Sequence, residues 1–212
     1  PVYALEGSIF IAGAVIQWLR DQLGLIHRSA DSERLIRGIA DTQGVYFVPA
    51  FTGLGAPYWD SQARGMITGL TRGTDKRHIV RAALEAIAYQ TKDVFDLMEE
   101  SFQQKIKGLK VDGGACQNNF LMQFQADMLG VPLSRPRMIE STAQGAAHLA
   151  GVTVGLWQKS DLEKFHKEDR TFSPAITSRE RQKKHQGWLR AVVMALTGQR
   201  NPRSQFKERD VK

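Results

Sequence analysis

The residues best suited to chemistry lie in one stretch, Leu109-Lys-Val-Asp-Gly-Gly-Ala-Cys-Gln-Asn-Asn-Phe120. A short apolar run ends at Asp112 and two glycines follow. A helical pattern then opens near Asn118 and Asn119, with Phe120, Leu121, Phe124, Met128 and Leu129 at helix spacing. A strand–Gly-Gly–helix unit suits a nucleotide. Bare backbone lets a ligand approach closely, and the unpaired N–H groups of a helix start favour anions and acceptors. The same pattern also describes an α/β turn that binds nothing. Asp112, at the carboxyl end of the strand, stands where open α/β sheets place ligands, and could hold metal-linked water or cap the turn.

Other candidates have plainer readings beside them. Cys116 has no histidine close in sequence to act as its base, so it reads as a small filler. The five histidines show no metal-ligand spacing, and no metal site is assigned. Gly13 and Gln17 lie one turn apart on the first expected helix. A glycine inside a helix costs about 1 kcal/mol relative to alanine, so it wants a reason, and tight helix packing supplies one. Tyr58-Trp59-Asp60 sits in a Gly- and aromatic-rich loop and either contacts substrate or pins the loop.

These residues need elements to hold them. Tyr3–Glu6 reads as the end of a strand, and Ile9–Leu23 as an amphipathic helix stopped by Gly24. A second helix, capped by Asp31 or Ser32, runs to about Ile39. Val45–Val48 is a buried-strand candidate closed by Pro49, and Met66–Leu70 another strand. The longest helix spans about Lys76–Glu100, capped by Thr74 or Asp75, with Ile79, Ala83, Ile87, Val94 and Met98 as its core stripe. Strand Leu109–Val111 and helix Asn118–Leu129 flank the Gly-Gly turn. Val131–Ser134 is a short strand. Ser141 or Thr142 caps a helix whose Gly145, Ala146, Ala147, Ala150 and Gly151 leave a nearly bare surface. Trp188, Leu189, Val192, Val193 and Leu196 mark a last helix. The alternation of strand and helix gives an α/β class.

At 212 residues, with 42% apolar residues, the chain can bury an ordinary core. No apolar run is long enough to span a membrane. The start, Pro1-Val-Tyr-Ala-Leu-Glu6, has no basic region before an apolar one and is not read as a signal peptide; lacking an initiator Met, it reads as the start of a fragment. One cysteine excludes an internal disulfide and fits a reducing cytoplasm. The net charge of +7 is uneven: residues 159–212 hold 14 Lys+Arg against 7 Asp+Glu, and residues 1–158 hold 15 of each. The cluster Arg179-Glu-Arg-Gln-Lys-Lys184 precedes a helical apolar pattern, so it reads as a solvated helix face and not as a nucleic-acid site. Gln199–Lys212 lacks an apolar pattern and is expected to be a disordered basic tail.

A second segment adds a resemblance. Gly65-Met-Ile-Thr-Gly-Leu70 is followed, after seven residues, by His78-Ile-Val-Arg-Ala-Ala-Leu-Glu85. This order resembles the C-terminal signature of the FGGY carbohydrate kinases. Tyr3-Ala-Leu-Glu-Gly7, Val48-Pro-Ala-Phe-Thr-Gly-Leu-Gly-Ala-Pro-Tyr-Trp-Asp60 and Thr142-Ala-Gln-Gly-Ala-Ala147 resemble the branch of that family that phosphorylates glycerol, and the likeness runs to about Trp188. Two positions inform the match. Gly53-Leu-Gly-Ala-Pro57 stands where the sugar-kinase branches carry a Gly-Glu-Arg-x-Pro-like pattern, and Gln144 occupies a site expected to be apolar.

The resemblance implies a ribonuclease H-like fold of the actin and hexokinase type, here a C-terminal, ATP-side lobe missing its first strands. It implies one partial kinase domain over residues 1–198, and ATP with Mg2+ as cofactors. It implies transfer of phosphate to glycerol, with another FGGY kinase such as a xylulokinase, or a non-catalytic nucleotide-binding module, as alternatives. It assigns Gly13, Gln17, Gly114 and Asn118 to ATP or ADP: Gly114 lets adenosine approach, and the Asn118 amide can donate and accept hydrogen bonds. The base and most of the glycerol pocket belong to segments upstream of Tyr3, so no catalytic residue is named. A cytoplasmic homo-oligomer without nucleic acid or a membrane span is expected of the full-length protein.

Overall fold

The computed structural model describes residues 4–165 and 167–197. The expected tail from Gln199 lies outside the described residues. The chain forms two compact units, one from the residues up to Gln104 together with those from Thr177 onward, the other from Lys105–Ile176.

In the first unit, α1 (Gly13–Asp21), α2 (Asp31–Ile36) and α7 (Ser178–Ala195) surround the long α3 (Lys76–Phe102) and an antiparallel pair, β1 (Tyr46–Val48) with β2 (Met66–Thr68). The register sets Phe47 opposite Ile67. Helix α3 starts where the sequence predicts. Asp75 accepts from Arg77 N at 2.8 Å and the His78 ring faces the Asp75 N–H at 3.1 Å, a reciprocal cap. Its middle, Ala82–Tyr89, is buried on every side, wider than the predicted stripe, and Ile79 is only half-buried. Small residues make this possible, since Ala82, Ala83, Ala86 and Ala88 let neighbours approach the backbone. Tyr89 stacks on Trp188 of α7 with ring centroids 5.5 Å apart. A side chain at Gly187 would run into the Tyr46 phenol, so only glycine lets α7 lie this close to β1.

Several expected boundaries move. Ala4–Glu6 is exposed and not in a strand, because no described segment pairs with it; Tyr3 lies outside the described residues. Helix α1 begins at Gly13, not Ile9. The Ile11 carbonyl accepts from Gln90 Nε2 at 3.0 Å, and Val15 N turns to Ala12 O at 3.1 Å. Asp31 does not cap α2: its carboxylate reaches back to Arg28 N at 3.0 Å, and the helix ends at Ile36. On α7, Val193 faces solvent while Gly187, Ala191 and Ala195 join Trp188 and Val192 in the buried face. The basic cluster at its start is largely solvated, as expected.

In the second unit, β3 (Leu109–Lys110) runs parallel to β4 (Leu133–Pro136), which pairs antiparallel with β5 (Glu168–Phe172). Helix α4 (Asn119–Leu129) connects β3 to β4 and packs against β4 and β5. Strand β4 starts two residues later than predicted, since Pro132 has no N–H to give a ladder and offers only its carbonyl, to Leu109 N at 3.0 Å. Helix α5 (Ser141–Thr153) starts without a side-chain cap, contrary to the expected Ser141 or Thr142. A 3-10 turn (Lys159–Asp161), the short α6 (Leu162–Phe165) and β5 were not anticipated.

Candidate functional site

Gly13 and Gln17 share one face of α1. Gly13 is the first residue of that helix, not an interior one, and a side chain built on it would meet nothing within 4 Å. Tight packing therefore does not explain this glycine. Gln17, one turn on, is exposed, and among the described residues its amide has no side-chain hydrogen bond. The pair forms an open surface with a polar group at its edge.

Gly114 and Asn118 bracket a 3-10 turn, Gly114–Gln117, between β3 and α4. Gly113 has φ of 79°, a left-handed conformation that favours glycine, and its N–H donates to Ile139 O at 2.7 Å. That bond fixes the turn and leaves Gly114 exposed, with open space where a side chain would stand. Asn118 is the N-cap of α4: its Oδ1 accepts from Leu121 N at 2.9 Å. The residue thus has a structural role whatever else it binds. Asp112 is exposed. The two pairs belong to different units.

The residue that holds this turn carries no signal in the sequence. Arg135, on β4, donates to Cys116 O at 2.8 Å and to Asn119 Oδ1 at 3.1 Å, and pairs with Asp169 of β5 at 2.7 Å. Its guanidinium lies over the Phe172 ring, 5.2 Å from the centroid. One side chain thereby ties the turn to two strands. No local pattern announces it, because its partners lie 16 to 34 residues away. Cys116 is buried as the filler reading expects, and burial pushes its thiol up, away from the reactive thiolate.

In the Tyr58-Trp59-Asp60 loop, two of three side chains are structural. Tyr58 donates to Asp93 at 2.7 Å, and burial pushes its phenol far above the ordinary range. Asp60 accepts from Gln62 N, Ala63 N and Thr197 N, which hold its carboxyl below its usual value, the Thr197 N–H foremost. Trp59 alone stands in solvent, 74% exposed. Among the described residues no group of three His, Cys, Asp or Glu could hold a metal ion, and no helix is long and apolar enough to cross a membrane.

Comparison with known proteins gives consistent matches. The pattern of the "FGGY family of carbohydrate kinases, C-terminal domain" covers residues 1–154. A glycerol kinase of Carboxydothermus hydrogenoformans is 61% identical over 194 residues, covering 91% of this chain and 39% of that protein. The chain therefore spans about two fifths of the length of the curated relatives it matches. Among solved structures, a Plasmodium falciparum glycerol kinase with ADP aligns with a TM-score of 0.82 at 35% identity, over 91% of this chain and 38% of that one. A ligand-bound xylulose kinase from Lactobacillus acidophilus aligns at 0.69 and 25% identity, over 88% of this chain and 38% of that one. The actin- and hexokinase-like fold expected from the sequence is the fold of these neighbours.

Proposed function

The chain belongs to the FGGY family of carbohydrate kinases, and we propose that it forms the nucleotide-binding part of an ATP-dependent glycerol kinase. The whole enzyme moves the γ-phosphoryl group of ATP to a terminal hydroxyl of glycerol, giving sn-glycerol 3-phosphate and ADP. The observation that carries this reading is the 61% identity to a glycerol kinase over 91% of the chain. The higher TM-score with a glycerol kinase than with a xylulose kinase, 0.82 against 0.69, favours glycerol over a pentulose.

Phosphoryl transfer asks a protein for positioning and charge stabilisation more than for covalent chemistry. In this reading Gly13 and Gly114 offer bare backbone to the nucleotide, and the Gln17 and Asn118 amides supply hydrogen bonds. Arg135 is a positioning residue that keeps the Gly114–Gln117 turn in place through the Cys116 carbonyl. The family pattern assigns the hydroxyl's base to a segment outside this chain, so no residue here is given that role. The chain offers no carboxylate cage for Mg2+ among its described residues. In this reading Mg2+ keeps most of its waters and travels with the ATP phosphates. We also infer a cytoplasmic enzyme that self-associates and uses no nucleic acid.

The test is turnover by the longer protein that contains this chain, with ATP and Mg2+, tracked by ADP release. Glycerol is expected to support turnover and D-xylulose is not. Turnover on D-xylulose alone favours another FGGY kinase, and ATP binding without turnover on either favours a non-catalytic nucleotide-binding module. Residues 1–212 by themselves are expected to release no glycerol-dependent ADP above a no-enzyme control.

A further inference from the structure

Beyond the Gly114–Asn118 turn, and sharing no residue with it, the second unit holds an open cleft of about 320 Å3 whose lining is cationic on one side and apolar on the other. Its cationic rim is Arg137 and Lys167. The Arg137 N–H donates to the Lys167 carbonyl at 2.8 Å, just beyond the paired ends of β4 and β5, so the two residues are held side by side. Among the described residues neither side chain has an ion-pair or hydrogen-bond partner. Arg135, two positions earlier, is by contrast fully engaged. On β5, Asp169 pairs with Arg135 and Glu168 accepts from Thr171.

Helix α5 contributes Gln144 and His148, four residues apart and so on one face. Gln144 is half-buried, and its amide has no side-chain hydrogen bond among the described residues. The apolar wall is Met138 and Phe165. It is a braced wall. The His148 ring lies 5.3 Å from Phe165 and meets Trp157 edge-on at 6.1 Å, and Trp157 Nε1 donates to the His148 carbonyl at 3.0 Å. Trp157 in turn covers Gly151, where any side chain would collide with the indole.

Two cations without an ion-pair partner among the described residues, with an amide beside them, match a phosphate, which takes several charge-assisted hydrogen bonds. A cleft of this size lies at the lower end of the range of small-ligand sites and exceeds what a bare phosphate fills. The wall of Phe165, His148 and Met138 suits a planar or apolar body. We propose that this cleft is a second ligand site, taking a small organic phosphate monoester with an aromatic or apolar group.

Phenyl phosphate is the probe, titrated into the 212-residue chain with the Trp157 indole N–H followed by NMR. Saturable shifts at Trp157 are expected, with affinity about tenfold above that for inorganic phosphate and weakened by added salt, since the rim is exposed. The pair Arg137→Gln and Lys167→Gln should weaken binding about tenfold or more, because two charge-assisted contacts go. Their exposure makes misfolding a small concern, and an unchanged circular-dichroism melt checks it. Gly114→Val, which touches the nucleotide turn alone, should leave phenyl phosphate binding intact, so failure of the nucleotide reading and failure of this one are separable. Absent or non-saturable shifts at Trp157, equal affinity for inorganic and phenyl phosphate, or full binding in the double variant would each overturn the proposal.

Discussion

Trp188 Nε1 donates to Asp93 Oδ2 at 2.7 Å, joining residues 95 positions apart. The Tyr58 hydroxyl donates to the same oxygen at 2.7 Å, and His185 Nε2 meets Oδ1 at 2.7 Å. One buried carboxylate therefore gathers the loop before β2, helix α3 and helix α7. Removing it leaves the buried indole N–H and phenol without partners. Asp93→Ala is expected to lower stability by about 3 kcal/mol, and Tyr58→Phe by about 1 kcal/mol, because orphaned buried donors cost more than a lost bond. Chemical denaturation measures both. A midpoint for Asp93→Ala equal to wild type would contradict this role.

Asp75 gives a pH dependence with a definite sign. The Arg77 side chain, first of all, holds its carboxyl well below the ordinary value of 3.8, with the Arg77 N–H and His78 adding to it. A carboxyl depressed in the folded state contributes stability that is fully present above its unfolded value and is lost as pH falls toward the folded one. Asparagine caps a helix as well as aspartate does, so Asp75→Asn isolates the charge. Melting curves of the two proteins should differ at neutral pH and draw steadily together as pH falls below about 5. Parallel curves throughout would remove the ion pair from the account.

How far the sequence reaches depends on the range of the interaction. Helix α3 and the opening of α4 were legible because their caps, Asp75 and Asn118, act within three residues. The start of α1 was not, since it is set by Gln90, 79 residues from Ile11. Strand β5, Glu168-Asp-Arg-Thr-Phe172, buries only Phe172, so neither alternation nor an apolar run could reveal it. At the site, the resemblance and not the spacing singled out the glycines: spacing pointed Gly13 to tight packing, whereas its surroundings are open. Arg135 was not legible, because an arginine in sequence gives no sign that it will fold back on the Cys116 carbonyl.

The cap on α4 changes how the nucleotide residues must be tested. Asn118→Ala removes a cap as well as an amide, and the cap alone is worth about 1 kcal/mol. Asn118→Ser keeps an acceptor for Leu121 N. Serine should therefore preserve stability while raising the KM for ATP in the longer protein, whereas alanine lowers both stability and affinity. Equal ATP affinity in wild type and Asn118→Ser would leave Asn118 with its capping role only.

Arg135→Gln should free the turn that carries Gly114. Amide hydrogen exchange at residues 114–118 is expected to quicken about tenfold, equivalent to about 1.4 kcal/mol of local stability, while α3 is unaffected. Exchange unchanged at these amides would mean that the Gly113–Ile139 bond alone holds the turn.

The central claim, that this chain supplies the nucleotide face of a glycerol-phosphorylating enzyme, is met most directly by steady-state kinetics of Gly114→Val in the longer protein. Gly114 is exposed with nothing within 4 Å of the added side chain, so the fold should tolerate valine and an unchanged melt should accompany it. The KM for ATP should rise about tenfold or more, about 1.4 kcal/mol, with the KM for glycerol unchanged. An unchanged KM for ATP in a folded Gly114→Val enzyme would contradict it.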